Sequence, residues 1–64
     1  MADVETVATV SQLYLGNILY AIELAAMSLE ASGKPDDARY YRGIGRKLAE
    51  AHGRDKQSAE AASR

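Results

Sequence analysis

One interruption governs what this chain can fold into. The segment Ser32-Gly33-Lys34-Pro35-Asp36-Asp37 is the only clear break in an otherwise helix-compatible sequence. Gly33 suits the left-handed conformation that closes a helix. Pro35 cannot continue that helix, yet its fixed φ fits the first turn of another. Asp36 and Asp37 then place negative charge where the dipole of the second helix favours it. A connection this short folds consecutive helices back on one another. The expected fold is therefore all-α: an antiparallel two-helix hairpin. Its parts are a helix over about 4–32, a turn at 33–36 and a helix over about 37–52, with Pro35 suited to its first turn.

The two sides of the break are unequal. The first helix carries thirteen larger apolar residues: Val4, Val7, Val10, Leu13, Tyr14, Leu15, Ile18, Leu19, Tyr20, Ile22, Leu24, Met27 and Leu29. Between them Glu5, Thr9, Gln12, Gly16, Glu23 and Glu30 form a narrow polar stripe at helical spacing. Asp3 is the expected N-cap. The β-branched run Val4–Val10 also suits a short strand, with Ser11 then capping a shorter helix; the long helix is the favoured reading. After the break there are four larger apolar residues: Tyr40, Tyr41, Ile44 and Leu48. The inward face of the second helix is read as Ala38, Tyr41, Ile44 or Gly45, Leu48 and Ala51 or His52. Gly53 is the expected stop, and residues 54–64 a polar helical extension or a disordered tail.

A second helix of about fifteen residues spans only about 22 Å. Folded back, it covers roughly residues 18–32 and leaves residues 4–17 without a partner in the chain. Length sharpens the point. A chain of 64 residues has little core, and with no cysteine it has no disulfide to add. Association with a second copy is the expected remedy, through Val4, Val7, Val10, Leu13, Tyr14, Leu15, Ile18 and Ile22. The resulting assembly is a homodimer or higher oligomer, a four-helix or larger bundle with coiled-coil character. The competing arrangement extends the second helix to residue 62, so that its alanines cover the remainder.

Charge separates the halves. Residues 1–32 hold four acids and no bases; residues 33–64 hold eight bases, five acids and His52. In a hairpin, facing residues keep a constant index sum. Glu30 with Arg39, Glu23 with Arg46 and Ala26 with Gly43 all share the sum 69, which leaves Arg42 over. The alternative use of the basic face is nucleic-acid contact through Arg39, Arg42, Arg46 and Lys47, flanked by Lys34, Arg54 and Lys56, with Tyr40 and Tyr41 stacking on bases. A sequence pI near 5.7 argues against it. Tyr20 and Tyr40 point away from the expected core and are the best candidates to touch a partner.

Nothing resembles a catalytic set. His52 is the sole histidine, no cysteine nucleophile exists, and Gly43-Ile44-Gly45 lacks the third glycine of a dinucleotide loop. No enzyme, metal or cofactor is expected. Two helix-interior glycines nonetheless cost about 1 kcal/mol each relative to alanine, so close packing or room for a ligand is implied. Val10–Leu29 is mostly apolar but contains Gln12, Asn17 and Glu23. A centred carboxylate costs about 2.5–3.5 kcal/mol in a bilayer, so no membrane span is expected. The acidic start lacks the basic region of a secretory signal, and a cytoplasmic setting is the default.

In layout the chain resembles the small plasmid-type RNA-binding helical hairpins that dimerise into four-helix bundles. Gly33-Lys34-Pro35-Asp36-Asp37-Ala38-Arg39-Tyr40-Tyr41 resembles the stretch between the helices of one tetratricopeptide repeat. Neither likeness assigns a family or a function. The function expected is that of a small interaction protein which binds and regulates a larger protein, as inhibitor or adaptor. The alternatives are a dimeric nucleic-acid binder and a bundle that sequesters a small ligand.

Overall fold

The structure, a computed structural model, describes residues 5–62, with side chains described for 5–56. The described residues are all-α and contain no strand. The helices are α1 (Val7–Leu13), α2 (Leu15–Ala31) and α3 (Pro35–Ala62). Val4 and Asp3 lie outside the described residues, so the expected Asp3 cap does too.

The first helix begins later than expected, because a threonine pair caps it. The Thr9 amide donates to Thr6 Oγ1 at 3.1 Å, and the Thr6 amide donates to Thr9 Oγ1 at 2.9 Å. This reciprocal arrangement is a capping box with threonine in the place usually held by glutamate. The β-branched residues Val7 and Val10 are therefore helical. The Ser11 hydroxyl, considered as a cap, instead donates to the Ala8 carbonyl at 3.0 Å.

The single long helix is in fact two, divided at Tyr14. That residue has φ −108° and ψ 21°, outside helical values. Hydrogen bonding still crosses the junction: the Tyr14 amide donates to Val10 O at 3.1 Å and the Ile18 amide to Tyr14 O at 2.9 Å. The result is a bend within one continuous run rather than a loop.

The end of α2 is a Schellman motif. Gly33 takes φ 76°, its amide donates to Glu30 O at 3.0 Å, and the Lys34 amide donates to Leu29 O at 2.8 Å. Pro35 then opens α3 with Asp36 and Asp37 in the first turn, as the sequence predicts. However, α3 does not stop at Gly53. It runs 28 residues to Ala62. Among the described glycines only Gly33 has positive φ. Gly53 thus stays helical, carried by Ala51 before it and by the strong helix formers of residues 54–62 after it.

Residues late in α2 meet residues early in α3, and those before Tyr14 meet the far end of α3. Glu30 pairs with Arg42, Ile22 lies over Gly45, and the Gln12 amide group donates to Asp55 Oδ2 at 3.2 Å. The register differs from expectation by two. Ile22–Gly45 and Gln12–Asp55 share the index sum 67. The physical reason is apolar burial, which places Gly45 beside Ala26 and Ala38 as the buried residues of the contact. The position of the Cβ that Gly45 lacks lies 3.5 Å from Ile22 Cγ2 and 3.6 Å from Leu19 Cδ2, whereas Gly43 has nothing within 4 Å. Gly45, not Gly43, is where the two helices approach.

The contact between α2 and α3 is thin. Ala26 and Ala38 are fully buried, while Leu15, Ile18, Leu19, Ile22, Ala25, Leu29 and Leu48 are half-buried. No large described side chain is fully buried. The Cα radius of gyration is 15.0 Å, against about 11 Å for a compact chain of this length. The accessible surface is 5326 Å², against about 4,000 Å² for a compact protein of 6.9 kDa. No described helix is long and apolar enough to cross a membrane.

Candidate interaction surfaces

The electrostatic centre of the molecule is Arg42, the residue expected to be unpaired. Its guanidinium grips two carboxylates of α2. Nε donates to Glu23 Oε1 at 3.1 Å and Nη2 to Glu23 Oε2 at 2.9 Å. Nη1 donates to Glu30 Oε2 at 2.7 Å and Nη2 to Glu30 Oε1 at 3.2 Å. Glu23 and Glu30 stand seven residues apart and so share a face of α2. At about 100° per residue, Arg42 sits about 60° from Gly45, against about 100° for Arg46 and about 120° for Arg39. Arg42 is thus the arginine nearest the seam, which is why it displaces the two expected pairs. Hydrogen bonding from Arg42 holds both glutamates below their ordinary carboxyl value. The same bonds, to Glu23 first, raise the guanidinium further above its already high value.

Arg39, assigned by sequence to Glu30, instead pairs with Asp36 on its own helix. Arg46 and Lys47 have no ion pair among the described residues. The basic set expected to contact a partner therefore separates. Arg42 is committed to α2, Arg39 is tied locally, and Arg46 and Lys47 are free. They border an open depression of about 510 Å³ on α3, lined also by Arg39, Tyr40, Gly43, Ile44 and Glu50. The Tyr40 and Tyr41 rings meet edge-on with centroids 6.1 Å apart. The two glycines thus serve different ends: Gly45 seats α2, and Gly43 faces outward.

The apolar residues expected to bind a second copy also divide. Val7, Val10, Leu13 and Tyr14 are exposed. Leu15, Ile18 and Ile22 are half-buried, and Ile22 packs over Gly45 of the same chain. In exchange, α2 exposes Leu24 and Met27, which the sequence reading did not place at an interface, beside Tyr20, which it named as a partner contact. Tyr20 is 68% exposed, Leu24 47% and Met27 53%. The spacing of these residues with Asn17 and Ala31, alternating steps of three and four, was the signal that would have found them.

Where α1 meets α3, a small cleft of about 80 Å³ is lined by Ser11, Gln12, Leu48, His52 and Asp55, among others. His52 Nδ1 is buried there without a hydrogen-bond partner. The Ser11 hydroxyl is committed to Ala8 O and the Asp55 carboxylate to Gln12, so these three groups form no proton relay. No group of three metal-ligating side chains occurs among the described residues. Comparison of the chain with known protein families, curated proteins and solved structures gives no match.

Proposed function

We propose that this chain is a small, non-enzymatic, cytoplasmic interaction protein. Its helical hairpin associates with itself into a helical bundle, and in that form it binds and regulates a larger protein as inhibitor or adaptor. One observation carries the reading. The chain leaves Val7, Leu13, Tyr14, Tyr20, Leu24, Met27, Tyr40 and Ile44 among its exposed large apolar residues and fully buries none of that size among the described ones. Apolar surface of this extent is characteristic of interfaces. Sedimentation equilibrium at micromolar concentration tests it. A dimer or larger species is expected, and a stably folded monomer overturns it. For the larger partner, a protein captured by the native chain should be lost with Arg46→Glu/Lys47→Glu; capture that ignores those charges removes α3 from the reading.

The free cations Arg46 and Lys47 beside Tyr40 favour a second reading, nucleic-acid contact by the outer face of α3. It is weakened by the commitment of Arg42 to Glu23 and Glu30. Retention of RNA or DNA at low salt, falling steeply as salt rises, is its signature. No retention at low salt eliminates it.

A further inference from the structure

Helix α2 has two opposed apolar faces, and only one is covered. Leu15, Leu19, Ile22, Ala26 and Leu29 form the half-buried or buried side towards α3. At about 100° per residue, Tyr20, Leu24 and Met27 lie about 140–160° away from Ile22, on the opposite side. With Asn17 and Ala31 they follow steps of three, four, three and four. That is the a/d repeat of a coiled-coil seam, with Asn17, Leu24 and Ala31 at a and Tyr20 and Met27 at d. Leu13, 72% exposed, is the preceding d residue across the bend.

Three further features identify the occupant of this face as a second copy. The chain exposes about 1,300 Å² more than a compact protein of its mass, and a standard interface removes about 800 Å² from each partner. The flanks of the stripe carry little net charge. Tyr14, Ala21 and Ser28 at e are uncharged, and Glu23 and Glu30 at g share Arg42 of the same chain, which leaves one net negative charge per copy. In a parallel pair each g residue lies beside an e residue of the second copy, so these glutamates do not oppose one another. Asn17 supplies direction. A lone asparagine at an a position pairs with its own image only when the helices are parallel and in register; run antiparallel, it faces an apolar d residue and its amide is unmatched.

We propose that the outer stripe of α2 is the seam of a parallel, in-register α2–α2 dimer of this chain, with Asn17 bonded to Asn17 of the second copy. This rests on the self-association reading above. It places one α3 on each flank of a central α2 pair and leaves Tyr40, Gly43, Ile44, Arg46 and Lys47 open to another molecule.

The absence of cysteine makes the test direct. Tyr20→Cys, Met27→Cys and Tyr40→Cys are made singly in the full chain and oxidised at micromolar concentration. Disulfide-linked dimer is expected from both Tyr20→Cys and Met27→Cys and not from Tyr40→Cys. Linkage at only one of the two α2 sites overturns the parallel register, and linkage at Tyr40→Cys alone overturns the face. Asn17→Leu should raise Tm and admit species larger than a dimer in sedimentation; an unchanged Tm and mass place Asn17 outside the seam and overturn the proposal. Failure of self-association itself is seen separately, as a folded monomer of the unmodified chain.

Discussion

Replacing Gly43 by alanine should stabilise the protein by about 1 kcal/mol. In a helix interior, glycine is about 1 kcal/mol less favourable than alanine. Gly43 is helical without positive φ, and a Cβ built there meets nothing within 4 Å. The propensity gain is therefore unopposed. For a domain of this size about 1 kcal/mol moves Tm upward by roughly 4–8 °C. Gly45→Ala is the matched control. Its Cβ lies in ordinary contact with Ile22 and Leu19, at 3.5 and 3.6 Å. It should gain the same propensity plus part of the roughly 0.8 kcal/mol that a buried methylene contributes. The assay is thermal unfolding followed by circular dichroism at 222 nm, with sedimentation at matched concentration. Both variants should melt higher and keep the native mass. A lower Tm for Gly43→Ala refutes the register, because it returns Gly43 to close contact with α2. A lower mass for the same variant places α3 rather than α2 in the self-association seam.

Three other outcomes follow from the same geometry. Ala26→Leu inserts three carbons at a fully buried point between α2 and α3 and should cost about 1–3 kcal/mol by overpacking, measured by urea unfolding; Ala31→Leu on the exposed face should not. Gly33→Ala forces a β-carbon into φ 76° and should lower stability by about 1–2 kcal/mol in the same experiment, since only glycine holds that conformation without steric cost. Acid should weaken the Arg42 grip. Glu23 and Glu30 have folded values below the ordinary 4.5, so their contribution is full above that pH and disappears as pH falls through the lowered values. A Tm-against-pH series should show this decline in the native chain and a shallower one in Arg42→Gln; equal slopes would mean that the grip contributes nothing in solution.

Much of the fold was legible because local chemistry dictated it. The Gly33–Pro35 break, the acids opening α3 and the helical periodicity of α2 are each set by neighbouring residues, and each stands in the structure. The boundaries that failed depend on competition between weak signals. Thr6 and Thr9 cap each other and start the helix at Val7, a pairing that does not match the usual glutamate-containing signature. Gly53 reads as a stop, but helix formers on both sides outweigh one glycine. The register failed for a tertiary reason. Charge spacing fitted Glu30–Arg39 and Glu23–Arg46, yet surface ion pairs are weak and give way to the burial of Ala26, Ala38 and Gly45 between the helices. That shift brings Arg42 to both glutamates at once. For the same reason Leu15, Ile18 and Ile22 belong to the contact within the chain, and the free stripe passes to Tyr20, Leu24 and Met27. A helix apolar around most of its circumference does not announce which side its own partner will take.

In the proposed assembly this chain completes its packing against a copy of itself. Sedimentation equilibrium of the unmodified chain over a micromolar concentration series tests it most directly. A mass of at least twice 6.9 kDa is expected, with helicity that falls on dilution as the assembly dissociates. A species of 6.9 kDa that keeps its full helicity and cooperative melting at every concentration would contradict it.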